Sequence, residues 1–109
     1  MSEARLPTAL WVDACLQPLN GRGIFYYIHH KGERNTGVIL LKLNGLYGQV
    51  KLLIQQRDFI SDTLGWVSAL KEELIDEAQA DEYINRALSR DPDLWVIEVE
   101  DPAMHNPFE

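Results

Sequence analysis

Between Val38 and Gln55 the chain reads VILLKLNGLYGQVKLLIQ, two apolar stretches on either side of Asn44-Gly45. Asn-Gly is the strongest short hairpin signal, because a type I′ turn needs positive φ at both central residues. Val38–Leu43 and Leu46–Gln55 therefore read as antiparallel partners. A two-residue turn pairs Leu43 with Leu46, Leu41 with Gly48 and Ile39 with Val50. That register gathers Ile39, Leu41, Leu43, Val50, Leu52 and Ile54 on one face, a core surface. The other face holds Val38, Leu40, Tyr47 and Leu53 among Lys42, Gln49 and Lys51. A sheet with one wet side alternates more sharply than this. Both faces of the hairpin thus need cover, either from helices on opposite faces or from a second copy of the chain.

The flanking sequence supplies two helices and further strands. Thr8 is placed to cap a helix over Ala9–Gln17, with Trp11, Ala14, Cys15 and Leu19 on one face. Pro18 should stop or bend it. Asn20–Gly23 is a turn, Ile24–Lys31 a strand rich in aromatic and β-branched residues, and Gly32–Gly37 a loop. Gln56–Leu64 is polar and irregular. Trp66–Glu72 fits a helix face or a strand face, and we read it as a strand. Asp76 and Gln79 form a capping box for a second helix whose stripe is Ala80, Tyr83, Ile84, Ala87 and Leu88. Pro92 ends that helix, Asp91-Pro92-Asp93 is a tight turn, and Leu94–Glu100 is a last strand with Trp95, Ile97 and Val99 on one face and Val96, Glu98 and Glu100 on the other.

The fold expected is α+β, a two-layer antiparallel sheet of four to five strands packed with two helices, in the order α-β-β-β-(β)-α-β. The 109 residues suit one domain, with residues 1–6 and 102–109 as loose tails. Trp95 and Trp11 are the expected apolar anchors, Trp95 between the second helix and the sheet, and Asp91, Pro92 and Asp93 are read as structural.

Charge narrows the partners. The net charge is −7, which repels phosphate backbones, so nucleic-acid binding is disfavoured. Residues 1–57 hold seven basic and three acidic residues, while residues 58–109 hold three basic and fourteen acidic ones. One cysteine, Cys15, excludes a disulfide scaffold. The apolar run Ala9–Leu16 is too short to span a bilayer and follows no basic region, so no membrane partner is expected and the cytoplasm is the expected compartment.

Three stretches carry a resemblance. YINRALSRDPDLWVIEVED at Tyr83–Asp101, LPTALWVDACLQ at Leu6–Gln17 and GVILLKLNGLYGQVKLL at Gly37–Leu53 resemble the small bacterial family of uncharacterised proteins known as domain of unknown function 1491. Asp91-Pro92-Asp93-Leu94-Trp95 is the most specific piece, and Gln56–Glu77 matches less well. The resemblance implies a family with no established activity and carries over no catalytic residue.

Candidate chemistry is sparse. On a regular strand His29 and His30 point to opposite faces and cannot share a metal. One cysteine and one usable histidine per face fall short of the three or four ligands zinc wants, so no metal and no cofactor is expected. Glu98 and Glu100 share a strand face about 7 Å apart, from a rise of about 3.3 Å per residue, a separation that suits paired carboxylates. Solvated acids at a strand end are the plainer reading. Lys42 and Lys51 with Tyr47 could stack single-stranded RNA, but the acidic second half argues against it. There is no nucleophile motif and no phosphate loop, and Cys15 on a core face is an inert small hydrophobe. The leading reading is a non-enzymatic protein-interaction module that self-associates as a homodimer. The alternative is a small enzyme or ligand-binding domain using Glu98, Glu100 and His29 or His30.

Overall fold

The chain's last strand lies inside the sheet, not at its edge. In the computed structural model, which describes residues 6–58 and 60–109, the elements are α1 (Thr8–Gly21), β1 (Phe25–His30), β2 (Ile39–Asn44), β3 (Val50–Asp58), β4 (Thr63–Ser68), α2 (Glu77–Arg90) and β5 (Trp95–Glu100). The α+β class and the element order are as read from the sequence. The sheet order is β1-β5-β2-β3-β4. β5 runs antiparallel to β1 and parallel to β2, so the sheet is mixed where a purely antiparallel one was expected. The cause is α2: a helical crossover returns the chain to the end from which β2 starts, which is what a parallel partner requires.

The molecule has three layers in place of the expected two. On one face Val12, Leu16 and Leu19 of α1 pack on Ile39, Leu41, Leu43, Trp95, Ile97 and Val99. On the other Ala80 and Ile84 of α2 pack on Leu40, Val50, Leu52 and Val96. Leu40 and Leu41 are both fully buried on opposite sides of β2, each worth about 1.5–3 kcal/mol of burial. The hairpin's two apolar faces are thus both covered from within the chain.

Several sequence expectations are corrected. The β2–β3 connection spans residues 45–49, with Asn44 paired to Val50 and Leu43 to Lys51. Leu46 at φ 70° and Gly48 at φ 82° take the left-handed conformations that were assigned to Asn44 and Gly45. The longer loop turns β3 over: Val50, Leu52 and Ile54 share a face with Leu40 and Lys42, not with Ile39, Leu41 and Leu43. α1 runs through Pro18 to Gly21, and its buried side is Thr8, Val12, Leu16 and Leu19, while Trp11 and Cys15 are half-buried and Ala14 is exposed. Burying Leu19 beyond Pro18 compensates for the donor that proline removes. Thr8 does not cap; its hydroxyl donates to Gly37 O at 3.1 Å. β4 lies three to four residues earlier than the Trp66–Glu72 strand anticipated, and β3 extends into the stretch read as irregular.

Trp95 is buried, 4% exposed, but beneath α1 and not α2. Its Nε1 donates to Glu33 O at 2.8 Å, and its ring packs on Gly37, where a Cβ would come within 2.8 Å of Cδ1. The Asp91–Asp93 turn holds as expected, Asp91 Oδ1 accepting from Asp93 N at 3.1 Å. The capping box of α2 forms in full, Asp76 Oδ1 accepting from Gln79 N and Gln79 Oε1 from Asp76 N. Of the expected tails, residues 1–5 lie outside the described residues. Pro102–Glu109 folds back on α1: Phe108 stands 5.0 Å from Trp11 and 5.5 Å from Trp66 between ring centroids.

Candidate functional site

Two rows of side chains cross the α2 face of the sheet. Tyr27, Glu98, Lys42 and Leu52 align across β1, β5, β2 and β3; Phe25, Glu100, Asn44 and Val50 form the next row. Parallel pairing of β2 with β5 is what sets Lys42 beside Glu98. α2 covers the β2–β3 end of these rows and leaves the β1 end open.

Lys42 is 3% exposed and Glu98 6%, so both charges are out of water and must be satisfied locally. Lys42 Nζ donates to Glu77 Oε2 and Asp81 Oδ1, each at 2.9 Å, and lies 3.7 Å from Glu98 Oε1. Glu77 and Asp81 sit one turn apart on α2, and Glu77 lies in its first turn, where the helix dipole also favours a carboxylate. Glu98 Oε2 accepts from Asn44 Nδ2 at 2.9 Å, and Oε1 meets His29 Nε2 at 2.7 Å. A carboxylate only accepts, so Nε2 carries the shared hydrogen. Burial pulls the Lys42 ammonium toward neutrality, but hydrogen bonds to Asp81 and Glu77 and the Glu98 charge outweigh it, and the group titrates above its ordinary value.

The structure therefore joins two of the residues singled out from the sequence, His29 and Glu98, and adds Lys42, which the sequence reading weighed only as part of an RNA platform, and Asn44, Glu77 and Asp81, which it missed. His29 follows Tyr27, the partner of Glu98, by two residues and so shares the face of Glu98; beyond Ile28 the register of β1 shifts, so that His30 and not His29 pairs with Val96. The His29 ring stacks on Tyr27 at 5.9 Å. His30 goes elsewhere, Nδ1 donating to Leu94 O at 2.8 Å. Glu100 lies in the Phe25–Asn44 row, half-buried, and is not part of the network. Lys51 lies on the α1 face, 3.5 Å from Glu73, so it and Lys42 form no common basic platform with Tyr47, which is 84% exposed in the turn.

Two clefts lie away from this network. The larger, about 760 Å³, runs between the start of α1 and the β3–β4 hairpin and is lined by Trp11, Val38, Gln55, Arg57 and Leu64. The smaller, about 360 Å³, lies between the end of α1 and the C-terminal segment. Neither is lined by His29 or Glu98. Among the described residues no three His, Cys, Asp or Glu side chains are grouped to hold a metal ion, and no helix is long and apolar enough to cross a membrane.

Over residues 6–109 the chain matches the family described as Protein of unknown function (DUF1491). It belongs to the DUF1491 family. This DUF1491 chain is similar to the DUF1491 family protein from Caulobacter crescentus CB15 in its crystal structure, with 27% identity, a TM-score of 0.82, and 96% of this chain and 95% of that one covered. The NMR structure of a DUF1491 family protein from the same organism gives 26% identity and a TM-score of 0.81, covering 96% and 94%. A solution structure of an A. tumefaciens protein shares the fold at 20% identity and a TM-score of 0.72, covering 89% and 86%. No curated protein matches the chain.

Proposed function

We propose that this DUF1491 protein is a non-enzymatic interaction module that pairs with a second copy of itself through β1. The observation that carries the reading is the character of that edge. Phe25 is 68% exposed, Tyr27 44% and Ile28 37%, on a strand whose outer backbone edge has no neighbour in the sheet. Edge strands are normally blunted by charge or proline, and Phe25–Ile28 contains neither. Antiparallel pairing of two β1 strands about a twofold axis satisfies the open edge and buries the aromatic patch twice. The argument for association from the second face of the hairpin no longer contributes, because α2 already covers Leu40.

Sedimentation equilibrium at tens of micromolar tests it. The expected mass is twice the 12.5 kDa of the chain. Phe25→Lys combined with Tyr27→Lys should return it to one folded chain, with the urea midpoint lowered only by the lost association. A single-chain mass at all concentrations, or a dimer indifferent to both substitutions, overturns the reading.

One contact favours a second reading, an acid–base site in which Glu98 orients the His29 imidazole. Such a base needs a pocket that holds substrate against it, and neither cleft reaches His29. The interaction reading is the better supported.

A further inference from the structure

The tripeptide Leu-Asn-Gly occurs twice, at Leu19–Gly21 and at Leu43–Gly45. An asparagine before glycine is open to attack by the next backbone nitrogen, because no Cβ on the following residue stands in the way. At the second copy Gly45 N adds to Asn44 Cγ. The new C–N bond forms as the bond to Nδ2 breaks, and ammonia leaves with the Gly45 amide hydrogen. Water then opens the cyclic imide. Opening at Cγ leaves aspartate; opening at the backbone carbonyl leaves isoaspartate, whose main chain is one carbon longer.

The two copies stand in different surroundings. Asn20 is exposed in the last turn of α1, its side chain makes no hydrogen bond among the described residues, and no atom lies within 4 Å of where a Gly21 Cβ would stand. Asn44 is half-buried at the end of β2, and each reacting group is held. Its Oδ1 accepts from Leu46 N and its Nδ2 donates to Glu98 Oε2, both at 2.9 Å. Gly45 N donates to Gln49 O at 2.9 Å, and the Met104 side chain crowds Gly45. Cγ reaches the attacking nitrogen only after these three bonds open.

The product does not fit the closed network. Aspartate at position 44 loses the donor and sets a second carboxylate against Glu98 Oε2, with Glu100 paired to the same position on β5. The neighbouring partners are already engaged, Lys42 by Glu77, Asp81 and Glu98, and His29 by Glu98 Oε1. Two carboxylates this close disfavour each other's ionised form. Isoaspartate displaces the carbonyl that accepts from Asp101 N at 3.0 Å.

We propose that Asn44 is a deamidation site that records opening of this end of the sheet: the closed network blocks the reaction, and the product keeps the network from closing. A molecule that has opened and reacted stays marked. The site does not depend on pairing through β1.

The experiment incubates the full chain at neutral pH, native and in guanidinium chloride. Asn20 and Asn44 each sit alone in a tryptic peptide, Leu6–Arg22 and Leu43–Lys51, so mass spectrometry reads both conversions in one sample. In guanidinium the two rates should be similar, since each asparagine follows leucine and precedes glycine. In the native chain Asn44 should react about a hundredfold more slowly, because three hydrogen bonds must open first, and Asn20 should slow far less. A native Asn44 rate close to its denatured rate overturns the gating. A second arm compares urea midpoints for Asn44→Asp alone and beside Glu98→Gln. Asn44→Asp should lower the midpoint strongly in the native background and much less beside Glu98→Gln, the coupling expected of two like charges. An Asn44→Asp protein as stable as the parent, or a loss that Glu98→Gln leaves unchanged, overturns the proposal.

Discussion

Lys42 is a cation buried in the middle of a sheet, and its three carboxylates come from two elements, α2 and β5. Two of them, Glu77 and Asp81, are themselves more than half exposed, while Glu98 shares the interior with Lys42. Removing one partner of a buried pair leaves the other uncompensated. Lys42→Met keeps the stem's packing and strips the charge, so the expected loss is about 3 kcal/mol, read from urea denaturation at neutral pH. The pH dependence has a definite sign. Lys42 is raised in the folded state, so its contribution is complete below the unfolded value near ~10.4 and lost as pH rises through the folded one. The gap between the native protein and Lys42→Met should therefore narrow above about pH 10 and stay constant between pH 7 and 9. A gap unchanged into strong alkali would mean that Lys42 contributes only its methylenes.

Among the elements, α2 and β5 were legible and the β2–β3 connection was not, for reasons that lie in particular residues. Asp76 and Gln79 announce a helix start because their reciprocal bonds are local and need no knowledge of the rest of the chain. β5 alternates cleanly from Trp95 to Glu100, and both its faces are where the alternation puts them. Asn44-Gly45 misled because a two-residue turn is the usual home of that pair. Here Asn44 ends a strand instead, its Oδ1 accepting from Leu46 N and its Nδ2 donating to Glu98. The resulting slip put Lys42 and Lys51 on one face in the sequence reading. The partner that makes Lys42 a buried charge stands across a parallel pairing that only the strand order reveals, so half the network could not be read from sequence. The turn also stores strain. Leu46 at φ 70° occupies a region that costs an L-residue about 1–2 kcal/mol. Leu46→Asn, with a side chain tolerant of that conformation, should raise stability by about 0.5–1 kcal/mol, seen as a higher urea midpoint. A lower midpoint would show that the half-exposed Leu46 side chain matters more than its backbone.

For the whole molecule, the division of charge along the chain is turned inward. Lys42 and Lys51 from the basic half meet Glu77, Asp81, Glu98 and Glu73 from the acidic half. The asymmetry thus binds one half of the chain to the other and need not orient a partner. The two cores are tied through the central strands, and Trp95 closes the α1 side against the 33–37 loop. Trp95→Ala should cost about 3–5 kcal/mol, much of what holds a domain of this size together. Near-UV circular dichroism and a urea titration would register it. A variant as stable as the parent would mean that Trp95 is not part of the core.

The position of β5 has a consequence for how the protein is made. A chain emerging from the ribosome presents β1 and β2 first, yet they do not touch each other; the strand that joins them is Trp95–Glu100, the last of the five to be made. Until it arrives, β1 has no neighbour and β2 lacks one side, and the apolar residues of both stand open to chaperones and proteases. Synthesis runs at about 5–20 residues per second, so several seconds separate the synthesis of β1 from that of β5, the strand that makes β1 part of the sheet.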